Sequence, residues 1–194
     1  MAESQASANG NGMTAPRPNW RPGDDRADID QMIRVDQAGE YGATRIYAGQ
    51  LAVLGEDHPA SRIIARMALQ EKRHLDHFDQ LMTDRGIRPT ALQPLWTVAG
   101  HALGAVTALM SPSAAMACTA AVETEIDKHY SDQLRQLGGD DPDLSATITE
   151  FQLEELEHRD TAIASGAESS FGYPLLSAFI RAGCRAAIAL SKRI

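Results

Sequence analysis

The chain contains two Glu-x-x-His steps, Glu71/His74 and Glu155/His158, each preceded at nearly the same distance by another Glu. Glu40 lies 31 residues before Glu71, and Glu123 lies 32 before Glu155. The second set repeats the first at offsets of 83, 84 and 84 residues, so six ligand-type side chains occur as two copies of one helix-pair unit. Two helices each giving one Glu, and two each giving Glu and His at i,i+3, make the ligand pattern of a di-iron carboxylate bundle.

The punctuation between these residues supports four long helices and no strand. Helical segments are expected at about 28–54, 60–85, 112–137 and 142–165. Gly55, Gly86 and the pair Gly138-Gly139 stop three of them, and the fourth fades near Gly166. Ser111-Pro112 and Asp141-Pro142 open two, because a Ser or Asp side chain accepts an unpaired amide proton and Pro fits the first turn.

The apolar stripes test whether the six residues face one another. Ile33, Asp36, Glu40, Tyr47, Leu51 and Leu54 fall on one face of the first helix, in steps of three, four and seven. Ile64, Met67, Glu71, His74, Phe78 and Leu81 share a face of the second; Ile148, Phe151, Glu155, His158 and Ala162 share one in the last. In the remaining helix Glu123 lies on the stripe that carries Met116, Tyr130, Leu134 and Leu137. All six are therefore expected inside, where isolated carboxylates would lose several kcal/mol of solvation and take up protons. Two Fe(II) ions balance four carboxylates, and two neutral imidazoles complete the set.

Tyr47 and Tyr130 each lie seven residues after their Glu and extend the duplication. They read either as core packing or as hydrogen-bonding groups beside the metals. Asp36, one turn before Glu40, reads either as a polar residue at the bundle end or as the group that orients a ligand His through its second nitrogen. His129 reads as a partly buried His, while His58, His77 and His101 fit no ligand position.

Charge is excluded from residues 89–122, although Asp, Glu, Lys and Arg make up 23% of the chain. Within this stretch residues 91–110 approach the length of a bilayer span, interrupted by Pro94, Gly100, His101 and Gly104. A core helix, a helix lying in the membrane interface and a spanning helix remain open. Residues 174–192 read as a basic amphipathic helix, with Leu176, Ile180, Ala187 and Leu190 apart from Arg181, Arg185 and Lys192. Such a helix either closes the bundle or meets a lipid surface.

The net charge of −8 and pI near 5.2 argue against nucleic acid as a partner. Two cysteines, Cys118 and Cys184, form no metal or disulfide pattern and fit a reducing cytoplasm. Residues 1–27 read as a disordered leader ahead of one domain, 28–194.

The stretches RVDQAGEYGATRIYAGQ, QEKRHL, ACTAAVETEIDKHY, EELEHRD and AGCRAAIALS, spread from Ile29 to Ile194, resemble the demethoxyubiquinone hydroxylase family of ubiquinone biosynthesis. The resemblance implies an all-α, ferritin-like four-helix bundle with two additional apolar or amphipathic membrane-facing helices. It implies iron ligands at Glu40, Glu71, His74, Glu123, Glu155 and His158, and a monooxygenase that hydroxylates the ring of demethoxyubiquinol with O2. It also implies a polyprenylated quinol entering from the lipid, with peripheral attachment at the cytoplasmic face of the inner cell membrane. A lipid-presenting accessory protein and self-association are further partners that it brings in. The reductant stays open between NADH and the quinol itself, since the chain has no G-x-G-x-x-G motif. A ferritin-like ferroxidase and a di-iron quinol oxidase share the ligand pattern and stand as alternatives.

Overall fold

A computed structural model describes residues 28–193, and the expected leader lies outside these residues. Six α-helices and no strand occur among the described residues. They are α1 (Ile29–Leu54), α2 (Pro59–Arg85), α3 (Gln93–Met110), α4 (Pro112–Leu137), α5 (Pro142–Ala164) and α6 (Tyr173–Ser191), with one 3₁₀ turn at Ala167–Ser169. The chain forms an all-α bundle.

The helix ends follow local chemistry. Asp28, Ser111 and Asp141 each accept the amide proton three residues on, at 3.0 Å, and so cap α1, α4 and α5. His58 caps α2 through Nδ1, which accepts from the amide of Ala60 at 3.1 Å. Gly86 ends α2 at φ 67°, a left-handed conformation that costs glycine little. Arg85 at that end also donates to Asp141 at 2.7 Å, tying the α2 terminus to the α5 cap.

The core is divided by residue size. One end holds large side chains, among them Ile33, Phe78, Tyr130, Leu137, Ile148 and Phe151. The other end is alanine-rich, with Ala43, Met67, Met116, Ala117, Ala120 and Ala162. The six ligand-type residues lie on the four helices between these clusters, at 0–1% exposure.

Helices α3 and α6 flank the four. The former packs on α1 at very short range: a Cβ on Gly104 would stand 1.9 Å from the Ile46 carbonyl oxygen, and one on Gly49 2.2 Å from that of His101. Only glycine permits this crossing. Helix α6 packs on α4, held by Arg181, whose Nε donates to buried Glu125 at 2.6 Å. Both helices leave large apolar side chains in solvent, including Leu109 at 72%, Leu175 at 78% and Phe179 at 75% exposure. Among the described residues, α6 has the length and composition to cross a membrane, with only 11% of its apolar window buried. The polar Gln93 and His101 lower the mean hydropathy of α3.

Candidate metal centre

Four helices bring the six residues into two overlapping groups. Glu40, Glu71, His74 and Glu155 each place a ligand atom within 4.8 Å of the others, and so do Glu71, Glu123, Glu155 and His158. Glu71 and Glu155 belong to both groups. The arrangement therefore has two shared carboxylates in the middle, with one Glu and one His belonging to each side.

Both imidazoles turn Nδ1 inward. His74 Nδ1 lies 3.0 Å from Glu155 Oε1 and 3.5 Å from Glu40 Oε2, while His158 Nδ1 lies 3.0 Å from Glu71 Oε1 and 3.2 Å from Glu155 Oε2. The outer nitrogens are held differently. His74 Nε2 lies 2.9 Å from Glu154 Oε2, and His158 Nε2 lies 3.0 Å from Gln70 Oε1. An acceptor at Nε2 keeps the proton there and leaves the Nδ1 lone pair free for a metal. His74 also stacks on Phe151, ring centroids 4.0 Å apart, which fixes its plane.

These contacts correct one expectation. Asp36 orients neither ligand His; its Oδ1 meets His129 Nε2 at 3.0 Å and accepts from Gln133 Nε2 at 2.7 Å. The outer nitrogens of His74 and His158 are met instead by Glu154 and Gln70. Glu154 and Gln70 were missed in the sequence, although each directly precedes a ligand Glu and the two stand 84 residues apart, in the register of the repeat. Arg73 binds the Glu154 carboxylate and reaches Glu150 at 3.3 Å, so Glu154 is held from both sides.

Tyr47 and Tyr130 both reach the centre. Tyr47 of α1 donates to Glu123 Oε1 at 3.0 Å, and Tyr130 of α4 donates to Glu40 Oε1. Burial, reinforced by the nearby carboxylates, pushes both phenols well above their ordinary range, so they remain protonated donors.

The electrostatics call for cations. Burial and the neighbouring carboxylates push Glu71 and Glu123 well above the ordinary range, and burial raises Glu40. Burial also presses on Glu155, but His158 and His74 outweigh it and hold that group at about 2. Burial disfavours the charged form of His74, yet Glu155 and Glu40 lift it to about 10. Beyond the imidazole–carboxylate contacts given above, six inward atoms make no hydrogen bond: Glu40 Oε2, both Glu71 oxygens, His74 Nδ1, Glu123 Oε2 and Glu155 Oε1. Orphaned buried oxygens and a nitrogen in this number are costly unless a ligand satisfies them. Hard carboxylates with imidazole suit a divalent first-row metal such as iron, so the residues fit a di-iron centre.

An apolar cavity of about 330 Å³ lies between α1, α3, α4 and α6, lined by residues such as Gly39, Ile46, Trp96, Leu103, Val122 and Phe179. From it a narrow crevice bordered by Ala43, Ile46 and Val122 continues to Tyr47, Thr119 and Glu123. The cavity thus leads to the edge of the ligand cluster.

Residues 27–191 match the family model described as ubiquinone biosynthesis protein COQ7. The chain belongs to the COQ7 family. It is 54% identical over 166 residues to the 3-demethoxyubiquinol 3-hydroxylase of Rhodospirillum rubrum, covering 86% of this chain and 78% of that one. It is 53% identical over 172 residues to the mitochondrial NADPH-dependent 3-demethoxyubiquinone 3-hydroxylase of Mus musculus, covering 87% and 79%. It is 43% identical over 182 residues to the mitochondrial 5-demethoxyubiquinone hydroxylase of Saccharomyces cerevisiae, covering 86% and 78%. The COQ7 match spans all six helices, so the helices that carry the cluster and those that wall the cavity lie within one family segment.

Proposed function

We propose that this COQ7 protein is a 3-demethoxyubiquinol 3-hydroxylase whose ligands to two iron ions are Glu40, Glu71, His74, Glu123, Glu155 and His158. The observation that carries the reading is an apolar cavity ending beside a buried, cation-demanding carboxylate cluster. The names of the relatives supply the substrate class, a polyprenylated methoxybenzoquinol. The reaction replaces a ring C–H with C–OH. One atom of O2 enters the ring and the other leaves as water, with two electrons from a reductant and two protons.

Iron bound at the cluster supplies the binding and reductive activation of O2. The chain supplies the rest. Glu71 and Glu155 stand between the two sides, while Tyr47 and Tyr130 each tie down one carboxylate oxygen of Glu123 and Glu40. Ala43, Ile46 and Val122 keep water out of the passage, and the wider cavity accepts the ring and the start of its tail. Of the two reductants left open, NADH and the quinol itself, the mouse relative's name, which specifies NADPH, favours a nicotinamide. The chain has no dinucleotide fingerprint, so electrons enter either by transient docking or from a separate reductase.

The exposed apolar faces of α3 and α6 support peripheral attachment to a membrane, which this reading puts at the cytoplasmic face of the inner cell membrane. The quinol then reaches the cavity without crossing water, directly from lipid or from an accessory lipid-presenting protein, and the same faces are available for self-association. The mouse and yeast relatives carry the word mitochondrial in their names.

Purified protein loaded with Fe(II) and given demethoxyubiquinol, reductant and ¹⁸O₂ decides among the readings. A product heavier by one labelled oxygen is expected. Water as the sole reduced product would make it a quinol oxidase, and mineralised iron in closed shells a ferroxidase. Glu155→Ala should lose iron and hydroxylation together; full iron with normal turnover would overturn the ligand assignment.

A further inference from the structure

Among the described residues six glycines lie inside helices, and they are of two kinds. A Cβ on Gly49 or Gly104 would run into the backbone of the helix packed against it, and one on Gly100 would stand 3.0 Å from Gly42 and Arg45. At Gly39, Gly42 and Gly183 it would meet nothing within 4 Å. Glycine inside a helix is destabilising relative to alanine, so neither helix formation nor a close helix crossing accounts for these three. All three line the apolar cavity, Gly39 and Gly42 from α1 and Gly183 from α6. Gly39 and Gly183 are also exposed, as is the lining residue Ala99 of α3, so the cavity is open between α3 and α6.

The dimensions of the cavity say what passes through that opening. A volume of about 330 Å³ is near the small end of pockets that hold a small molecule. It takes a substituted ring and the start of a chain, and a polyprenyl tail is far longer, so the rest of the tail has to leave. The deep end narrows at Ala43, Ile46 and Val122 towards Glu123. The opposite end is shut by the one hydrogen bond between α3 and α6 among the described residues, from Trp96 Nε1 to Ser191 Oγ at 3.2 Å. Helix α3 is fixed on α1 by the glycine crossing and α6 on α4 by Arg181, which leaves the seam between α3 and α6 as the way out. Phe179, a lining residue that is 75% exposed, gives this seam an apolar rim. Given the reading above, on which this rests, we propose that the prenyl tail of the quinol leaves the cavity between α3 and α6 across Gly39, Gly42 and Gly183, and that these glycines determine acceptance of a tailed substrate. With no side chain there, the tail lies against bare helix backbone on both walls. A large side chain at any of the three fills its path.

The experiment uses Trp96, which lines the cavity, as a fluorescence reporter in a Trp20→Phe background of the full Fe(II)-loaded chain. The probes are a farnesyl-tailed methoxy-methyl-benzoquinol and the same ring with a methyl group in place of the tail, titrated anaerobically in detergent. The unsubstituted glycines should give the tailed probe the higher affinity. Gly39→Leu and Gly183→Leu block the path from opposite walls, and each should reduce that preference about tenfold. Leucine forms helix better than glycine, and thermal melts followed by circular dichroism check that both variants fold; if one does not, the other decides. A preference kept in the folded variants, an equal loss of affinity for both probes, or no preference before substitution would each overturn the path while leaving the quinol reading in place. Failure of the unsubstituted cavity to bind either probe would overturn the quinol reading itself, and this proposal with it.

Discussion

Tyr130 on α4 donates its phenolic proton to Glu40 on α1, and the repeat-related Tyr47 on α1 donates to Glu123 on α4. The two halves of the duplication hold each other's carboxylates. Because each Tyr is committed across the bundle, neither half can form its share of the cluster alone. Tyr130→Phe and Tyr47→Phe should each lower metal affinity about 10- to 100-fold, the usual cost of removing a group that holds a ligand in place. Anaerobic Fe(II) titration of the two variants checks this. Unchanged affinity in both would show that the phenols only fill space.

The supports behind the two imidazoles differ in charge. His74 is backed by the Glu154 carboxylate, itself bound to Arg73, whereas His158 is backed by the neutral amide of Gln70. A carboxylate makes its imidazole the stronger donor. Two unequal steps are therefore expected when Co(II) is added to metal-free protein. Glu154→Gln should weaken the tighter step by roughly tenfold or more and bring the two together. Equal affinities in wild-type protein would refute the difference.

The metal-free cluster has a definite pH response. Glu71 and Glu123 titrate well above their ordinary 4.5, and His74 is lifted from 6.5 to about 10. A raised folded-state value means that the folded form holds more protons than the unfolded one. The carboxyl contribution is fully present below 4.5 and fades as pH rises. The His74 contribution is full below 6.5 and is lost through about 10. Glu155, held at about 2, acts oppositely: its contribution is present above 4.5 and is lost as pH falls through about 2. The melting temperature of metal-free protein should fall from pH 5 to 9, and Fe(II) should reverse the trend because it displaces the same protons. Thermal scans with and without metal across that range are the check.

The α1–α3 crossing admits no side chain at Gly104. Gly104→Ala places a methyl 1.9 Å from the Ile46 carbonyl oxygen and should cost about 1–3 kcal/mol as α3 is forced away. Ile46 and Leu103 also wall the cavity, so quinol binding should weaken with it. Chemical denaturation gives the first quantity and Trp96 fluorescence the second. Gly39→Ala, where a Cβ meets nothing within 4 Å, is the control and should fold normally.

By itself the sequence determined the helices and the convergence of their charged faces. Caps at Ser111 and Asp141, glycine stops and apolar stripes are local features, written in residues three to four apart, and so is the membership of each Glu and His in a buried stripe. The register of 84 residues added the pairing of the two halves. What depended on contacts between distant helices could not be read that way. Tertiary packing decided that Asp36 serves His129 while Glu154 and Gln70 hold the imidazoles, because α2 and α5 exchange these groups across the bundle. Only packing, too, could show that α3 and α6 leave a cavity between them and that the passage from it ends beside Glu123. A stripe fixes which way a side chain points from its own helix; which neighbour it meets depends on how the helices cross.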